Sequence, residues 1–600
     1  MTRDELLERL KAHEWRDIEF KEASFAVPRD VYSTVSAFAN TEGGYIIFGV
    51  KKADGAYEIK GVIHDSVDEV QNGFLTGVRD RNKMSAFVAV KESKIEDPDG
   101  TILIFYIPES PRQNKPVHLN RELRESYVRR GGTDQHCTEE EIKRLIRDAA
   151  DVPFDSEPME DIPAAACFDE EVLHWYRAEM NRRQPGRHET LNDLEFLNEW
   201  GFVVEKQGQL IPTRACILVF GKGKYVRQIL PRCVVDYQRS DFNAADWSPE
   251  ARWSDRIVVD ENLIRAWWQL VERFMKMADK PFSLDMATLR RDDEPPEYIS
   301  FREAAINLLI HQDYGDFHRL PYLYLFRDQS VFYNPGDNFH SEDRLLDPGA
   351  KDVRNPKIVD AFRRIGLSDQ AGTGFRAIFK NWHRLGNVPP DMVNDKAEKT
   401  FKLILRRIPL ISEKQRILQA TLGVHLSEAE AESFAYACQR DRLTTTDVRA
   451  LTGSSPADAK AILDRLTVQM LLKPVDADAG IFELQDQFKT KQLDLSTGQV
   501  PAETPDLPTG QVKPLAELDD KQWAILRLCF MARSMKELLE GVGLSSRDFF
   551  ITKYLQPLIS AGLVVMTLPD SPRAPTQRYI LSKKGLELHA WYIEKEERHK

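Results

Sequence analysis

The run Ile299-Ser300-Phe301-Arg302-Glu303-Ala304-Ala305-Ile306-Asn307-Leu308-Leu309-Ile310-His311 decides how the centre of this chain reads. It reads as a helix. Glu303, Asn307 and His311 recur every fourth residue, and four residues turn an α-helix by about 400°, so the three share one face. A carboxylate that can polarise water, beside an amide oxygen that can ligate Mg²⁺, suits nucleotide hydrolysis. An isolated Glu/Asn pair would be explained as well by a solvated polar face. Downstream residues tip the balance. Asn334-Pro335-Gly336 ends an expected strand, and Gly372-Thr373-Gly374 opens an expected helix whose backbone N–H groups can hold phosphate.

This ordered set resembles the GHKL (Bergerat-fold) ATPases, and within them the branch known as the RecG-type carboxy-terminal, HATPase-like domain, over roughly residues 190–408. The resemblance implies an α/β ATPase domain that binds ATP with Mg²⁺ or Mn²⁺. Glu303 would be the general base, Asn307 the Mg²⁺ ligand, and His311, Asn334, Gly336, Gly372, Thr373 and Gly374 would line the nucleotide site. Asn334 stands where the family has the aspartate that reads the adenine amino group. An amide accepts less strongly than a carboxylate, so binding is expected and hydrolysis is left open. No GxxxxGK[ST] string occurs, which excludes a P-loop motor.

Toward the amino terminus, Glu19-Phe20-Lys21 precedes an expected helix from about Pro28 and the string AFANTEGGYIIFGV (37–50). A helix, a diglycine stop and a buried strand account for it locally. Two more strands are expected at 86–90 and 101–109, and a helix capped by Thr138 follows RELRESYVRRGGT (121–133). Together EFK, AFANTEGGYIIFGV and SYVRRGGT resemble the Schlafen AlbA-type domain over about residues 10–148. That resemblance implies DNA or RNA binding, with Lys21, Arg129 and Arg130 on phosphates. Animal Schlafens cleave structured RNA with two glutamates and an aspartate, which map here to Glu14, Glu19 and, by proximity, Asp54. Such a trio could hold a divalent metal, although ordinary surface acids would explain Glu14 and Asp54.

The central block, 164–408, is mixed α/β, with helices near 170–182 and 189–199, a strand pair around 201–212 and a buried strand at RACILVFG (214–221). From 411 a plan of helices and a strand-like wing occurs twice, at 411–486 and 519–600, and reads as two winged helices. Between them, at 487–518, DLSTGQV (494–500) recurs as DLPTGQV (506–512), a Pro/Thr/Gly composition suited to a tether. The second copy carries 13 basic and 10 acidic residues, the first 8 and 12. The second is therefore the expected DNA reader, through Arg547 and Lys553 in a recognition helix capped by Ser545, with Arg573 and Arg578 in the wing.

The expected architecture is a multidomain α/β and α+β chain: an AlbA-type domain at 1–150, an ATP-binding domain at 164–408, two winged helices and a linker. Its 600 residues are 42% hydrophobic and 30% charged, as in folded proteins generally, and the net charge of −12 excludes nucleic-acid binding by bulk positive charge. Six scattered cysteines with no CxxC argue for a reducing, cytoplasmic setting. No apolar run is long enough for a membrane span. Expected partners are DNA or RNA and ATP, with a homo-oligomer left open and no membrane. The combination resembles bacterial Schlafen AlbA-domain ATP-binding proteins, which include transcriptional regulators and relatives in antiphage defence. Three functions stay open: an ATP-responsive nucleic-acid-binding regulator, a metal-dependent Schlafen-type nuclease, and a scaffold with a vestigial ATP site.

Overall fold

In the computed structural model the described residues are Leu6, Leu10, 17–489 and 518–584, apart from 54–55, 187–189, 249, 251–252, 278–283, 286–289, 292–294, 348, 350–351, 369–372, 413–414, 417, 420–421, 423–425, 477–479, 530–532, 545–546, 567–576 and 583. They group into two compact units, Met1–Ile408 and Pro409–Lys600. Glu14, Asp54, Gly372, Ser545 and Arg573 lie outside the described residues, as does most of the expected linker.

The first unit opens with β1 (Ile18–Lys21), α1 (Val31–Asn40) and β2 (Gly44–Phe48). β1 and β2 pair in parallel, Ile18 opposite Tyr45, and α1 is the crossover that a parallel pair requires. Gly43 makes the return possible. Its φ is +81°, and a Cβ there would meet the Ile107 carbonyl at 2.7 Å. β3 (Lys91–Asp97) and β4 (Gly100–Ile107) complete a sheet of order β1-β2-β4-β3. The strand expected at 86–90 is not one. The polar stretch after it, Lys91–Asp97, takes the edge instead, where mostly exposed side chains are tolerated. A hairpin of β5 (Tyr127–Arg130) and β6 (Thr133–His136) leads into α2 (Glu139–Ala149), capped by the expected Thr138/Glu141 box.

The central part follows with α3 (Glu170–Arg183), α4 (Asp193–Glu199), the pair β7 (Val203–Lys206) and β8 (Gln209–Pro212), and α5 (Arg214–Phe220). α5 corrects the strand expected at RACILVFG. The Thr213 hydroxyl accepts from Cys216 N–H and starts a helix, and Ala215–Phe220 is buried all round. A short apolar run with no polar face carries no period to separate helix from strand. Next come β9 (Val235–Arg239), β10 (Asp255–Val259), α6 (Leu263–Met277), α7 (Pro296–Ile310), β11 (Tyr322–Leu325), β12 (Gln329–Pro335), α8 (Pro356–Arg364), α9 (Gly374–Arg384), β13 (Asp391–Asp395) and β14 (Thr400–Arg406). The strands form one mixed sheet, β10-β9-β11-β12-β14-β13, in which only β9 and β11 are parallel. Leu323, Phe332, Phe401, Leu403 and Leu405 point from it into a core shared with Phe301, Ala304, Leu308 and Ile378 of the helices. α7 packs along α9, which brings the two helix segments singled out by sequence side by side.

The second unit contains two small modules. In the first, helices Glu428–Arg440, Thr445–Thr452 and Pro456–Val468 accompany a three-stranded sheet centred on Ile481–Leu484. In the second, helices Asp520–Leu528, Met535–Val542 and Arg547–Phe550 accompany a sheet centred on Arg578–Leu581. The last helix of that module continues as a π-turn over Ile551–Leu555 before Gln556–Ser560. Pro557 has no N–H to donate back into the preceding turn, which accounts for the widened winding. No helix among the described residues is long and apolar enough to cross a membrane.

Candidate functional site: a cleft between α7, α9 and the sheet

Glu303, Asn307, His311, Asn334, Gly336 and Gly374 line one open cleft. Its floor is the helix-facing side of β12 and β14, with Phe332, Phe401 and Leu403, and its walls include Phe339, Val353 and Phe375. An apolar cleft with few convergent polar groups is the usual form of a small-molecule site. α9 begins at Gly374 with Thr373 before it, and the Thr373 side chain makes no capping hydrogen bond to its first turn. A Cβ at Gly374 would lie 3.3 Å from Glu303 Oε2 and 3.6 Å from Asn307 Nδ2, so this glycine keeps the mouth between the two helices open. Asn307 Nδ2 is buried with no hydrogen-bond partner among the described residues. Glu303 Oε1 takes a 3.1 Å ion pair from Arg302. An amide and a carboxylate beside a helix N-terminus fit a cation-bound polyphosphate.

His311 ends α7, and its imidazole is pushed down to about 4 from 6.5 by burial, with the Arg354 charge adding to the effect. It is therefore neutral at pH 7. Between pH 6.5 and 4 the unfolded chain binds a proton that the native one refuses, so this contribution to stability is present above pH 6.5 and is lost as pH falls through that window. His311→Asn should lose less stability than the parent between pH 7 and pH 5, by about 1–2 kcal/mol, in urea melts at the two pH values.

Behind the cleft lies an ion-pair network that the sequence did not reveal. Arg354 lines the cleft, pairs with Asp337 at 3.0 Å and also pairs with Asp148 of α2. Asp337 follows Gly336 and is held by Lys399 at 3.2 Å and Lys396 at 3.7 Å. Burial opposes its charge, but these cations hold its carboxyl well below the usual range. Lys396 reaches Glu109 at 3.1 Å, Arg112 pairs with Asp352, and Arg147 pairs with Asp313. Glu109, Arg112, Arg147 and Asp148 belong to the amino-terminal part, so its contact with the cleft is built on charge. No spacing rule could find the pairs that reach the amino-terminal part, because each of those is separated by more than 150 residues.

The amino-terminal candidates sit differently from expectation. Arg129 is not a surface cation. Its side chain is 1% exposed, pairs with Glu19 at 2.9 Å and Asp134 at 2.8 Å, donates to the Ile18 carbonyl, and stacks over Phe38. It braces β5 against β1 and α1 and has no free face for a phosphate. Arg129→Ala should cost about 3 kcal/mol by stranding buried carboxylates, read as a lower urea midpoint. Lys21 pairs with Glu19 at 3.0 Å and Asp30 at 2.6 Å. Arg130 pairs with Glu141 at 2.6 Å and Glu398 at 3.2 Å. Glu19 is thus engaged by two cations, and among the described residues no group of three or more His, Cys, Asp or Glu could hold a metal. In the second unit Arg547, Lys553 and Arg578 are exposed, Lys553 lying 5.1 Å above the Phe549 ring. All six cysteines are buried and unbridged.

Fold and cleft together define a multidomain α/β protein with a small-molecule cleft between α7, α9 and the sheet. Family models give the rest. Residues 14–138 match "Schlafen, AlbA_2", and residues 320–405 match "Putative ATP-dependent DNA helicase recG C-terminal". The chain carries both domains, which are those of a nucleic-acid-associated, ATP-binding protein. The second match contains Asn334, Gly336 and Gly374 but begins after α7. Residues 143–236 match a domain of unknown function, DUF8451, and 524–582 match the Fic-like, C-terminal domain of filamentation induced by cAMP protein. No curated protein matches the chain. Among solved structures, the DIP2311 protein from Corynebacterium diphtheriae is 16% identical over 94% of this chain and 95% of its own, with a TM-score of 0.35. The N-terminal domain of a putative ATP-dependent DNA helicase RecG-related protein from Nitrosomonas europaea is 30% identical over 22% of this chain and 91% of its own, at 0.19. A Fic family protein from Desulfovibrio desulfuricans G20 is 15% identical over 53% and 87%, at 0.12. Overlays this loose settle neither fold nor function.

Proposed function

We propose that the chain is an ATP-responsive regulator of nucleic-acid binding, in which occupancy of the cleft is felt by the AlbA-type domain. The observation that carries this reading is the double engagement of Arg354, a cleft-lining residue bound at once to Asp337 of the cleft and Asp148 of α2. A ligand that displaces Arg354 or Asp337 changes the free energy of the domain contact, and that differential interaction is what coupling requires. Asn307 would hold Mg²⁺ with the phosphates, and the bound ion would neutralise their charge. Glu303 would orient and deprotonate water, and the first turn of α9 would receive the terminal phosphate. The positively charged second module, read as a winged helix, adds duplex contact through Arg547, Lys553 and Arg578.

The test is fluorescence anisotropy of the full chain with labelled single-stranded DNA, duplex DNA and structured RNA, with and without Mg²⁺ and a non-hydrolysable ATP analogue. The analogue should shift affinity for at least one of them by about fivefold or more. Identical affinities with saturating analogue would sink the regulatory reading. Asn307→Ala should weaken Mg²⁺-dependent analogue binding by about 10–100-fold, measured by calorimetry.

A further inference from the structure

We infer that the amino-terminal domain meets single-stranded nucleic acid on the turn that follows its helix Val67–Arg79, with Phe87 as the platform for a base and Arg79, Lys83 and Arg121 as phosphate contacts. This rests on the nucleic-acid reading above and adds to it the surface and the form of the partner.

The cations that the sequence pointed to are spent on carboxylates. Arg129 is buried with Glu19 and Asp134, and Lys21 and Arg130 each hold two acids. The turn after Val67–Arg79 is charged differently. Arg79, Arg81, Lys83, Arg121 and Arg124 are exposed, and none of them forms an ion pair among the described residues. The stretches 79–87 and 120–124 hold two acids, Asp80 and Glu122. Asp80 is turned onto its own loop, where it accepts from Asn82 N–H at 2.9 Å. A local surplus of positive charge thus stands on a chain of net charge −12, and unpaired surface cations are what phosphate contact requires.

The two stretches are stapled into one surface. Met84 bridges to Leu119, Asn120 N–H donates to the Lys83 carbonyl at 3.1 Å, and Arg121 donates to Asn82 Oδ1 at 2.7 Å. Asn120 and Arg121 both have positive φ, +54° and +59°. Asparagine enters that region readily, but a long side chain seldom does. Backbone held there by its surroundings is concentrated at binding sites.

Phe87 supplies the second, independent observation. It is 50% exposed while its neighbour Val88 is buried, and the Arg79 guanidinium lies 5.4 Å from its ring centroid. A lone exposed ring needs no explanation. A ring among unpaired cations combines the two parts of a single-strand site, an aromatic face for a base and positive charge for the backbone. In a duplex the base faces are covered by their neighbours, so only an unpaired base could lie on Phe87.

The experiment is fluorescence anisotropy of the full chain with labelled oligo-dT, oligo-U and a duplex of the same length, over a series of salt concentrations. The triple variant Arg79→Gln, Lys83→Gln, Arg121→Gln should flatten the dependence of log affinity on log salt by about 2 for the single strands, since each lost phosphate contact removes about 0.7. Phe87→Ala should weaken single-strand binding by about fivefold or more, leave that slope unchanged and leave duplex affinity unmoved. The oligo-dT and oligo-U arms separate DNA from RNA as the source of the strand, and the effect in either supports the inference. Urea melts matching the parent establish that both variants are folded. A triple variant with the parent's affinity and slope would overturn the inference and leave these cations a solvated face. Equal losses on single strand and duplex in Phe87→Ala would overturn the single-strand form. A parent that binds none of the three probes would overturn the nucleic-acid reading itself.

Discussion

Arg354→Met lowers the stability of the Met1–Ile408 unit by about 5 kcal/mol and disconnects nucleotide binding from nucleic-acid affinity. The size follows from what is left behind. The guanidinium is buried with Asp148, Asp337 and, close by, Asp313, and Asp148 is already raised by burial. Removing one partner of a buried pair strands the others, which costs about 3–5 kcal/mol, and here two directly paired carboxylates lose the same cation. Methionine keeps the length of the stem, so the loss is one of charge more than of volume. A double variant, Arg354→Met with Asp148→Asn, should recover part of the stability, because the second change removes one stranded charge. The coupling should stay lost in the double variant. Urea melts follow the first quantity, and anisotropy with and without the ATP analogue follows the second. A single variant as stable as the parent, with analogue-dependent affinity intact, would show that the network is a passive seam.

What the sequence made legible was the chemistry that repeats along one element. The i, i+4 spacing of Glu303, Asn307 and His311 put them on one side of the cleft, and Gly374 marked the start of the helix that meets them. Thr138 and Glu141 announced their capping box for the same local reason. Elements whose identity depends on neighbours far along the chain did not read correctly. α5 looked like a strand because a helix buried on every side has no polar stripe. β3 was missed because an exposed edge strand has no apolar alternation, and β9, β10, β13 and β14 passed unnoticed. Arg129 was misjudged in the same way. Two adjacent arginines suggested a phosphate patch, while the pleat of β5 sends Arg129 inward to Glu19 and Asp134 and leaves Arg130 half outside. Arg354 and Asp337 carried no signal at all, since a buried ion pair is a property of the packed interface.

Glu303→Gln should retain analogue binding and lose hydrolysis, and the contrast between the two readouts is the sharpest test of the cleft as an ATPase centre. Glutamine has the same shape and can still hold the Arg302 side of the pocket through its amide oxygen, in place of the 3.1 Å ion pair. It cannot accept a proton from water. Loss of a positioned general base typically costs about 10²–10⁴-fold in rate, whereas affinity should move by less than about threefold if Glu303 contributes little to ground-state binding. Asn307→Ala gives the opposite pattern, weakening binding first, because its side-chain amide oxygen is the atom proposed to meet the ion. The comparison also separates an enzyme from a scaffold that merely holds nucleotide. Should the parent bind the analogue and release no phosphate from ATP, with Glu303→Gln indistinguishable from it in both assays, then Glu303 is a wall residue. The cleft would then act through occupancy alone, and Arg354 would remain the path by which that occupancy reaches α2.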